Sequence, residues 1–358
     1  KTVYGNFTST KQSNVCTSKS ALYRFLSNEH NNWRKLLLLL SSRVISKIKS
    51  LSDSDRKLCL VLDDSVLERT KGKEVELLAR IFDHVSHRFV KGFTCLQLGW
   101  TDGISYIPVN SALLSSANTD NRYCDATDEI DHRTCGFVRR AEAQIKKTTM
   151  AIDLIKQTLR AGIVADYVLM DTWFTTEPFI KAITDLGLDV IGMVKQMKQR
   201  YWYNGEQLNL RKLYQAIPNK RGGDIICSAV VKTKNGIKVR IVFIRNRNAR
   251  REYLALLSTD LDISEEDIVR QYAKRWLIET NFRAQKQYFK LGTETHARDY
   301  DNLIAFMTMS SICYTVMEFS RRYNEDPRSL GSLFRDTCEQ LEDISFITDI
   351  ESLMNCFT

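Results

Sequence analysis

Apolar residues fall at three- and four-residue intervals in two stretches near the start of the chain, 18–28 (Leu22, Phe25, Leu26) and 32–50 (Trp33, Leu36, Leu37, Leu40). That spacing predicts two helices, with Ser18 or Ser20 placed to cap the first. The polar run LSDSDRK at 51–57 reads as a linker, and beyond it the period changes. LCLVLDD (58–64) is a short apolar run ending in charge, which predicts a buried strand. GFTCLQLG (92–99) and ISYIPVNS (104–111) add two more strands about the turn signal Thr101-Asp102-Gly103. The polar, acidic stretch 114–135 predicts a long surface loop, and a helix over 137–161 stops at Gly162. ADYVLMD (165–171) is a second buried strand, followed by a helix over 176–186 and a strand over 188–195. Within 196–258, IICSAVVKTKNGIKVRIVFIR alternates about Asn235-Gly236, a hairpin signal, and YLALLST (253–259) adds a further strand. Ser264 followed by Glu265-Glu266-Asp267 opens a long helix reaching about 290, and 301–358 reads as two or three more helices.

A three-strand meander followed by alternating strands and helices predicts an α/β fold, a mixed sheet flanked by helices with a β-rich insertion. The divisions fall at 1–57 (basic and helical), 58–195 (first part of the core), 196–258 (β-rich insertion), 259–300 (the rest of the core, with the long helix) and 301–358 (helical C-terminal segment).

Composition narrows the class. At 358 residues the chain can bury a core without disulfide or metal staples, and 43% hydrophobic against 27% charged residues is ordinary for a globular protein. Apolar runs such as Leu36–Leu40 fall far short of the roughly 18 residues of a membrane span, and no secretory signal pattern opens the chain. The nine cysteines are odd in number and contain no C-x-x-C pair, so they read as scattered thiols of an intracellular, cytoplasmic protein. Charge alters the picture more. Residues 1–57 hold eleven Lys/Arg against three Asp/Glu, a local net of +8, whereas the other 301 residues hold 41 against 40. A basic segment on a nearly neutral body points to a polyanionic partner, most simply nucleic acid, with a solvated basic surface as the competing reading.

Three carboxylates occupy telling places. Asp63 closes the first buried strand within LDDS, Asp171 closes the second within LMDTWF, and Glu279 lies in the long helix within RWLIETNF. A carboxylate at the C-terminal end of an apolar strand stands where α/β active sites form, although such an aspartate also serves simply to start a turn. Converging carboxylates suit hard divalent cations, and two ions about 4 Å apart can drive phosphodiester chemistry. On the long helix, Tyr272, Arg275, Glu279 and Lys286 fall within roughly 60° of one another at about 100° per residue, a single stripe. A solvated, salt-bridged helix face would give the same stripe. Tyr272 and nearby Trp276 argue for a face that meets something other than water.

The spacing Tyr272-x2-Arg275-x3-Glu279-x6-Lys286 resembles the YREK signature of DDE transposases of the insertion-sequence-four family, in all four residues and all three spacings. LDDS and DTWF resemble that family's two aspartate motifs, so the resemblance covers about 58–290. It implies an RNase H-like core interrupted by the β-rich insertion, with Asp63, Asp171 and Glu279 as catalytic carboxylates binding two Mg²⁺ or Mn²⁺ ions. Asp64 is the alternative first carboxylate. The family's first motif resembles Asp-x-Ser/Thr, which Asp63-Asp64-Ser65 matches from Asp63. Tyr272, Arg275 and Lys286 would contact phosphates of the transposon end. The implied partner is double-stranded DNA, both transposon ends and target, bound by a homodimer associated with the bacterial nucleoid. The implied activity is end cleavage and strand transfer. A related metal-dependent nuclease, or a domesticated DNA-binding protein, is the alternative.

Trp202 lies in KQMKQRYWYNG, where Lys198 and Arg200 interleave with aromatic residues. It reads either as a DNA contact that stacks on a displaced base or as a core anchor of the insertion. Trp173 and Trp276 read first as core. The five histidines show no ligand spacing, and no Ser/His/Asp set or phosphate-cradling glycine loop stands out, which excludes a covalent nucleophile and an NTPase.

Overall fold

The computed structural model describes residues 19–340 apart from 54, 221, 248, 250, 251, 294 and 295. Ser18 and the tail beyond 340 lie outside the described residues. Strand β1 (Cys59–Glu68) pairs antiparallel with β3 (Arg88–Thr101) and parallel with β5 (Tyr167–Met170). The far edge of β3 carries β4 (Tyr106–Leu114) along one half and the short β2 (Ala79–Asp83) along the other. β6 (Asp189–Val194) lies parallel to β5. The order β4–β3–β1–β5–β6, an antiparallel meander followed by two parallel strands, is the RNase H-like arrangement.

The β-rich stretch extends this same sheet. β11 (Tyr253–Ser258) adds antiparallel to β6, followed outward by β10 (Lys238–Arg245), β9 (Ile225–Thr233), β7 (Tyr201–Tyr203) and β8 (Glu206–Leu208), giving eleven strands. The Asn235-Gly236 turn joins β9 to β10 as its sequence predicts. Gly236 sits at φ 91°, a conformation that glycine adopts without steric cost.

Helix α1 (Lys19–Leu26) precedes the sheet in the chain, and α6 (Leu210–Ala216) lies between β8 and β9. Alternation along β1 sorts its side chains between two faces. Leu60 and Leu62 pack with Val44 and Ile48 of α2 (Trp33–Ser50), Met150 and Leu154 of α4 (Lys147–Arg160) and Ile180 of α5 (Glu177–Thr184). Cys59 and Val61 pack on the other face with Ile268 of α7 (Glu265–Ala273), Ile278 and Phe282 of α8 (Trp276–Gln287), and Leu303 and Met307 of α9 (Tyr300–Tyr323). β5 keeps the same parity, with Val168 and Met170 on the first face and Tyr167 and Leu169 on the second.

Several elements differ from the sequence reading. The helix expected over 137–161 is two helices, Cys135–Glu142 (α3) and α4, with Lys146 in an extended conformation between them. Here tertiary anchoring overrides helical propensity. Arg139 and Arg140 of α3 bind Asp301 at 2.5 and 2.8 Å, and Arg140 also binds Glu76 at 2.6 Å, which fixes the direction of α3. The helix expected over 264–290 likewise breaks into α7 and α8. The amides of Lys274 and Arg275 bond to carbonyls only three residues back, on Gln271 and Tyr272, which tightens the backbone at the join. β1 does not end at Asp63 but continues to Glu68, so both Asp63 and Asp64 lie mid-strand. α2 belongs to the core through Leu37, Val44, Ile45 and Ile48, while Lys35, Arg43, Lys47 and Lys49 stay exposed. Among the described residues α9 alone is long and apolar enough to cross a membrane, yet most of its apolar window is buried inside the protein, as in a core helix.

Candidate active site

Leu62 of β1 pairs with Met170, the last residue of β5, in parallel register, so Asp63 on β1 and Asp171 directly after β5 stand side by side. By parity both lie on the face covered by α7 and α8. Asp171 is held by its own turn. Its Oδ1 accepts the amide N–H of Trp173 at 2.9 Å and of Phe174 at 3.3 Å, while its carbonyl accepts the Thr175 hydroxyl at 2.6 Å. Gly192 of β6 makes room for that turn, because a Cβ there would lie 2.4 Å from Thr175 Oγ1.

The join between α7 and α8 brings the third carboxylate into place. Arg275 donates from Nη1 to Asp63 Oδ2 at 3.0 Å and from Nη2 to Glu279, so one guanidinium spans two carboxylates that lie 216 residues apart. Tyr272 packs beside this pair, with the Arg275 guanidinium 5.8 Å from its ring centroid. Lys286, about two turns further along the same helix face, donates to Ser65 Oγ at 2.7 Å and to the Val66 carbonyl at 3.0 Å. Ser65 shares the face of Asp63, so Lys286 grips β1 two residues beyond the first carboxylate. The stripe read on one continuous helix therefore survives the break at 274–275. The helix is docked by buried amides, with Asn281 donating to Gln97, the residue opposite Asp63 on β3, and Gln285 donating to Asn281 at 2.8 Å.

Burial pushes the Asp63 carboxyl up to about 7; Arg275 opposes that rise and the Asp171 charge adds to it. The Tyr272 hydroxyl is pushed up to about 12, first by burial, with the Asp171 and Asp63 charges contributing. Asp63 is thus an enclosed carboxyl that a nearby cation would favour in its charged form. Hard oxygen donors at Asp63, Asp171 and Glu279 suit a divalent cation in kind. Among the described residues no three such groups form a ready-made cage, and the Arg275 guanidinium stands between Asp63 and Glu279. The residues fit a metal, provided Arg275 gives way.

Asp64 faces the opposite side of the sheet, where its Oδ1 receives the Lys147 ammonium at 2.6 Å. Trp173 and Trp276, read first as core, are 41% and 55% exposed. Trp202, 44% exposed on β7, stands six strands from β1, roughly 29 Å across the sheet at about 4.8 Å per strand. Lys198 and Arg200 are exposed just before it. The structure thus gathers Asp63, Asp171, Glu279, Tyr272, Arg275 and Lys286 at one place, and sets Trp202, Lys198 and Arg200 elsewhere. Lys147, Gln97 and Asn281 carry no sequence signal. Ser65 does, through the Asp-x-Ser pattern.

Two family models match the chain. The model of a DDE superfamily endonuclease matches residues 6–214, more than half of the chain, and that of a transposase DDE domain matches residues 126–316. The first spans Asp63 and Asp171, the second Asp171 and Glu279. No curated protein matches the chain.

Proposed function

Because the chain belongs to the DDE superfamily of endonucleases and transposases, we propose that it is a DNA transposase of the insertion-sequence-four type that cleaves at the ends of its element and joins them to target DNA. The observation that carries this reading is the Arg275 guanidinium bonded to both Asp63 and Glu279, with Asp171 directly after the strand that pairs with that of Asp63. Members of this superfamily generally use divalent metal ions. Asp63, Asp171 and Glu279 would hold two Mg²⁺ or Mn²⁺ ions, which when bound polarise the scissile phosphate and lower the pKa of attacking water.

The chain's own residues prepare the site. The Trp173 and Phe174 amides hold one Asp171 oxygen, Oδ1. Arg275 balances Asp63 and Glu279 until DNA enters, then turns to a phosphate of the end together with Tyr272 and Lys286. Water oxygen bonds to phosphorus as the bond to the 3′ oxygen breaks, leaving a 3′-hydroxyl and a 5′-phosphate. That hydroxyl then attacks a target phosphodiester, its oxygen bonding to phosphorus as the target's own bond from phosphorus to the 3′ oxygen breaks and leaves a 3′-hydroxyl on the target strand, with no covalent protein–DNA intermediate. The exposed cations of α2, with Lys198, Arg200 and Trp202 at the far end of the sheet, would hold duplex DNA away from the cut. Synapsis of two ends calls for a homodimer on DNA in the cytoplasm.

The test supplies a labelled transposon-end duplex, a target plasmid and Mg²⁺ or Mn²⁺. Cleaved and joined products are expected from the wild type. Asp171→Ala should bind the end and cut none of it. Cleavage without joining would favour the nuclease alternative, and binding without cleavage by the wild type would favour the domesticated one.

A further inference from the structure

Lys147 belongs to none of the motifs above, yet it touches both segments that carry the first two carboxylates. It is the first residue of α4, and its side chain is 16% exposed. Its ammonium donates to Asp64 at 2.6 Å and lies 3.7 Å from the centroid of the Trp173 ring and 5.3 Å from that of Phe174. Asp64 is the chain neighbour of Asp63, and Trp173 and Phe174 are the residues whose amides fix Asp171. One ammonium therefore ties β1 to the turn after β5, from the side of the sheet opposite Arg275.

A cation in the first turn of a helix opposes the helix dipole, so this placement needs compensation. The Asp64 carboxylate and the faces of two aromatic rings supply it. Enclosed charges of this kind are costly to leave unpaired, which makes the arrangement stiff. We infer that Lys147 is a positioning residue that sets the spacing between Asp63 and Asp171 and thereby the strength of divalent-cation binding. The inference rests on the reading of those two aspartates as metal ligands. Direct contact of Lys147 with a DNA phosphate is the rival role, and the enclosure of its ammonium between Asp64 and the Trp173 ring speaks against it.

The test compares full-length wild type with Lys147→Met, Lys147→Arg, Asp64→Asn and the Lys147→Met/Asp64→Asn double variant. Mn²⁺ binding is measured by calorimetry on the protein holding a pre-cleaved end duplex, which draws Arg275 away from the carboxylates and cannot be cut again, end-duplex affinity in Ca²⁺, and cleavage across a Mn²⁺ titration. Lys147→Met should weaken Mn²⁺ binding about 10- to 100-fold, the range for groups that orient metal ligands. The Mn²⁺ concentration for half-maximal cleavage should rise by the same factor, with DNA affinity changed less than about twofold. Asp64→Asn should move in the same direction, the double variant should be no worse than Lys147→Met, and Lys147→Arg should recover part of the loss. Unchanged Mn²⁺ affinity, or a loss of DNA affinity in its place, overturns the inference. Should Lys147→Met fail to fold, Asp64→Asn decides alone, and normal Mn²⁺ affinity in it is the overturning result. Asp171→Ala is the control that separates the two readings. If it abolishes Mn²⁺ binding while Lys147→Met does not alter it, only the present inference falls. If wild-type binding survives Asp171→Ala, the metal-ligand reading falls and takes this inference with it.

Discussion

The two faces of strand β1 carry neighbouring aspartates with unlike company. Asp63 looks toward α8, where the Arg275 guanidinium bonds to it and to Glu279 together. Asp64 looks toward α4, where a lysine ammonium, backed by two aromatic rings, pairs with it alone. In sequence the two are adjacent candidates, of which the Asp-x-Ser pattern favours Asp63. The pleat of the strand converts that one-residue ambiguity into opposite sides of the sheet. Only the Asp63 side also holds Asp171 and Glu279. Arg275 offers a planar fork that could pass from carboxylates to a phosphate without changing its chemistry, whereas Lys147 is a point charge already committed.

The sharpest way to break this comparison is to remove each aspartate in turn. Asp63→Ala should reduce end cleavage below about a thousandth of wild type, as expected when a group acting on the transition state is lost. Asp64→Ala should retain about 1–10% activity, with much of the deficit recovered at higher Mn²⁺, because it acts through its neighbours. Single-turnover cleavage of a labelled end decides between them. An active Asp63→Ala beside a dead Asp64→Ala would reverse the assignment of the two faces.

Protonation separates the faces in a second way. In the metal-free protein Asp63 is raised from 3.8 to about 7, chiefly by burial. Between those values the folded protein holds a proton that the unfolded chain has released, so this group makes stability fall as pH rises from about 4 to about 7. Thermal midpoints of metal-free protein across that window should decline, and Asp63→Asn should remove that share of the decline. Mn²⁺ competes with the same proton, so wild-type Mn²⁺ affinity should strengthen between about pH 6 and pH 8. Identical midpoint slopes in wild type and Asp63→Asn would remove the buried carboxyl from the account.

What is legible in the chain alone follows the range of the forces involved. Continuous apolar runs mark β1 and β5 because strands buried on both faces leave few polar positions, and their charged ends mark Asp63 and Asp171. Asn235-Gly236 marks its hairpin through local backbone preference. The break between α7 and α8 is not legible, since Lys274 and Arg275 are good helix formers. What accompanies it is distant: Lys274 Nζ donates to the Lys57 carbonyl at 2.7 Å, and Arg275 reaches Asp63. β2 escapes the sequence reading because Arg80 and Asp83 interrupt a five-residue strand whose partner, β3, shows a clear apolar run only from 92. Lys147 is invisible for the same reason as the helix break. Nothing within a few residues explains a lysine there, and its carboxylate partner lies 83 residues away.

A final comparison sets the carboxylate end of the sheet against its far end, where smaller effects are expected. Near Asp63 the cations Arg275 and Lys286 are engaged with protein groups. Around Trp202, by contrast, Lys232, Lys234 and Lys238 line an open groove and stand exposed. A base stacked on Trp202 at the cut would be worth about 1–3 kcal/mol, or about 5- to 150-fold in rate. The separation of roughly 29 Å across six strand spacings argues against that placement. Trp202→Ala should therefore change end cleavage less than about twofold. Replacing Lys232, Lys234 and Lys238 with Gln should weaken duplex binding and lower the slope of log affinity against log salt by about 0.9 for each phosphate no longer neutralised. Binding isotherms at several salt concentrations measure the second effect, and single-turnover cleavage measures the first. A tenfold loss of cleavage in a Trp202→Ala protein that melts and binds normally would bring a displaced base to the insertion, and the far end of the sheet would then belong to the chemistry as well as to the grip.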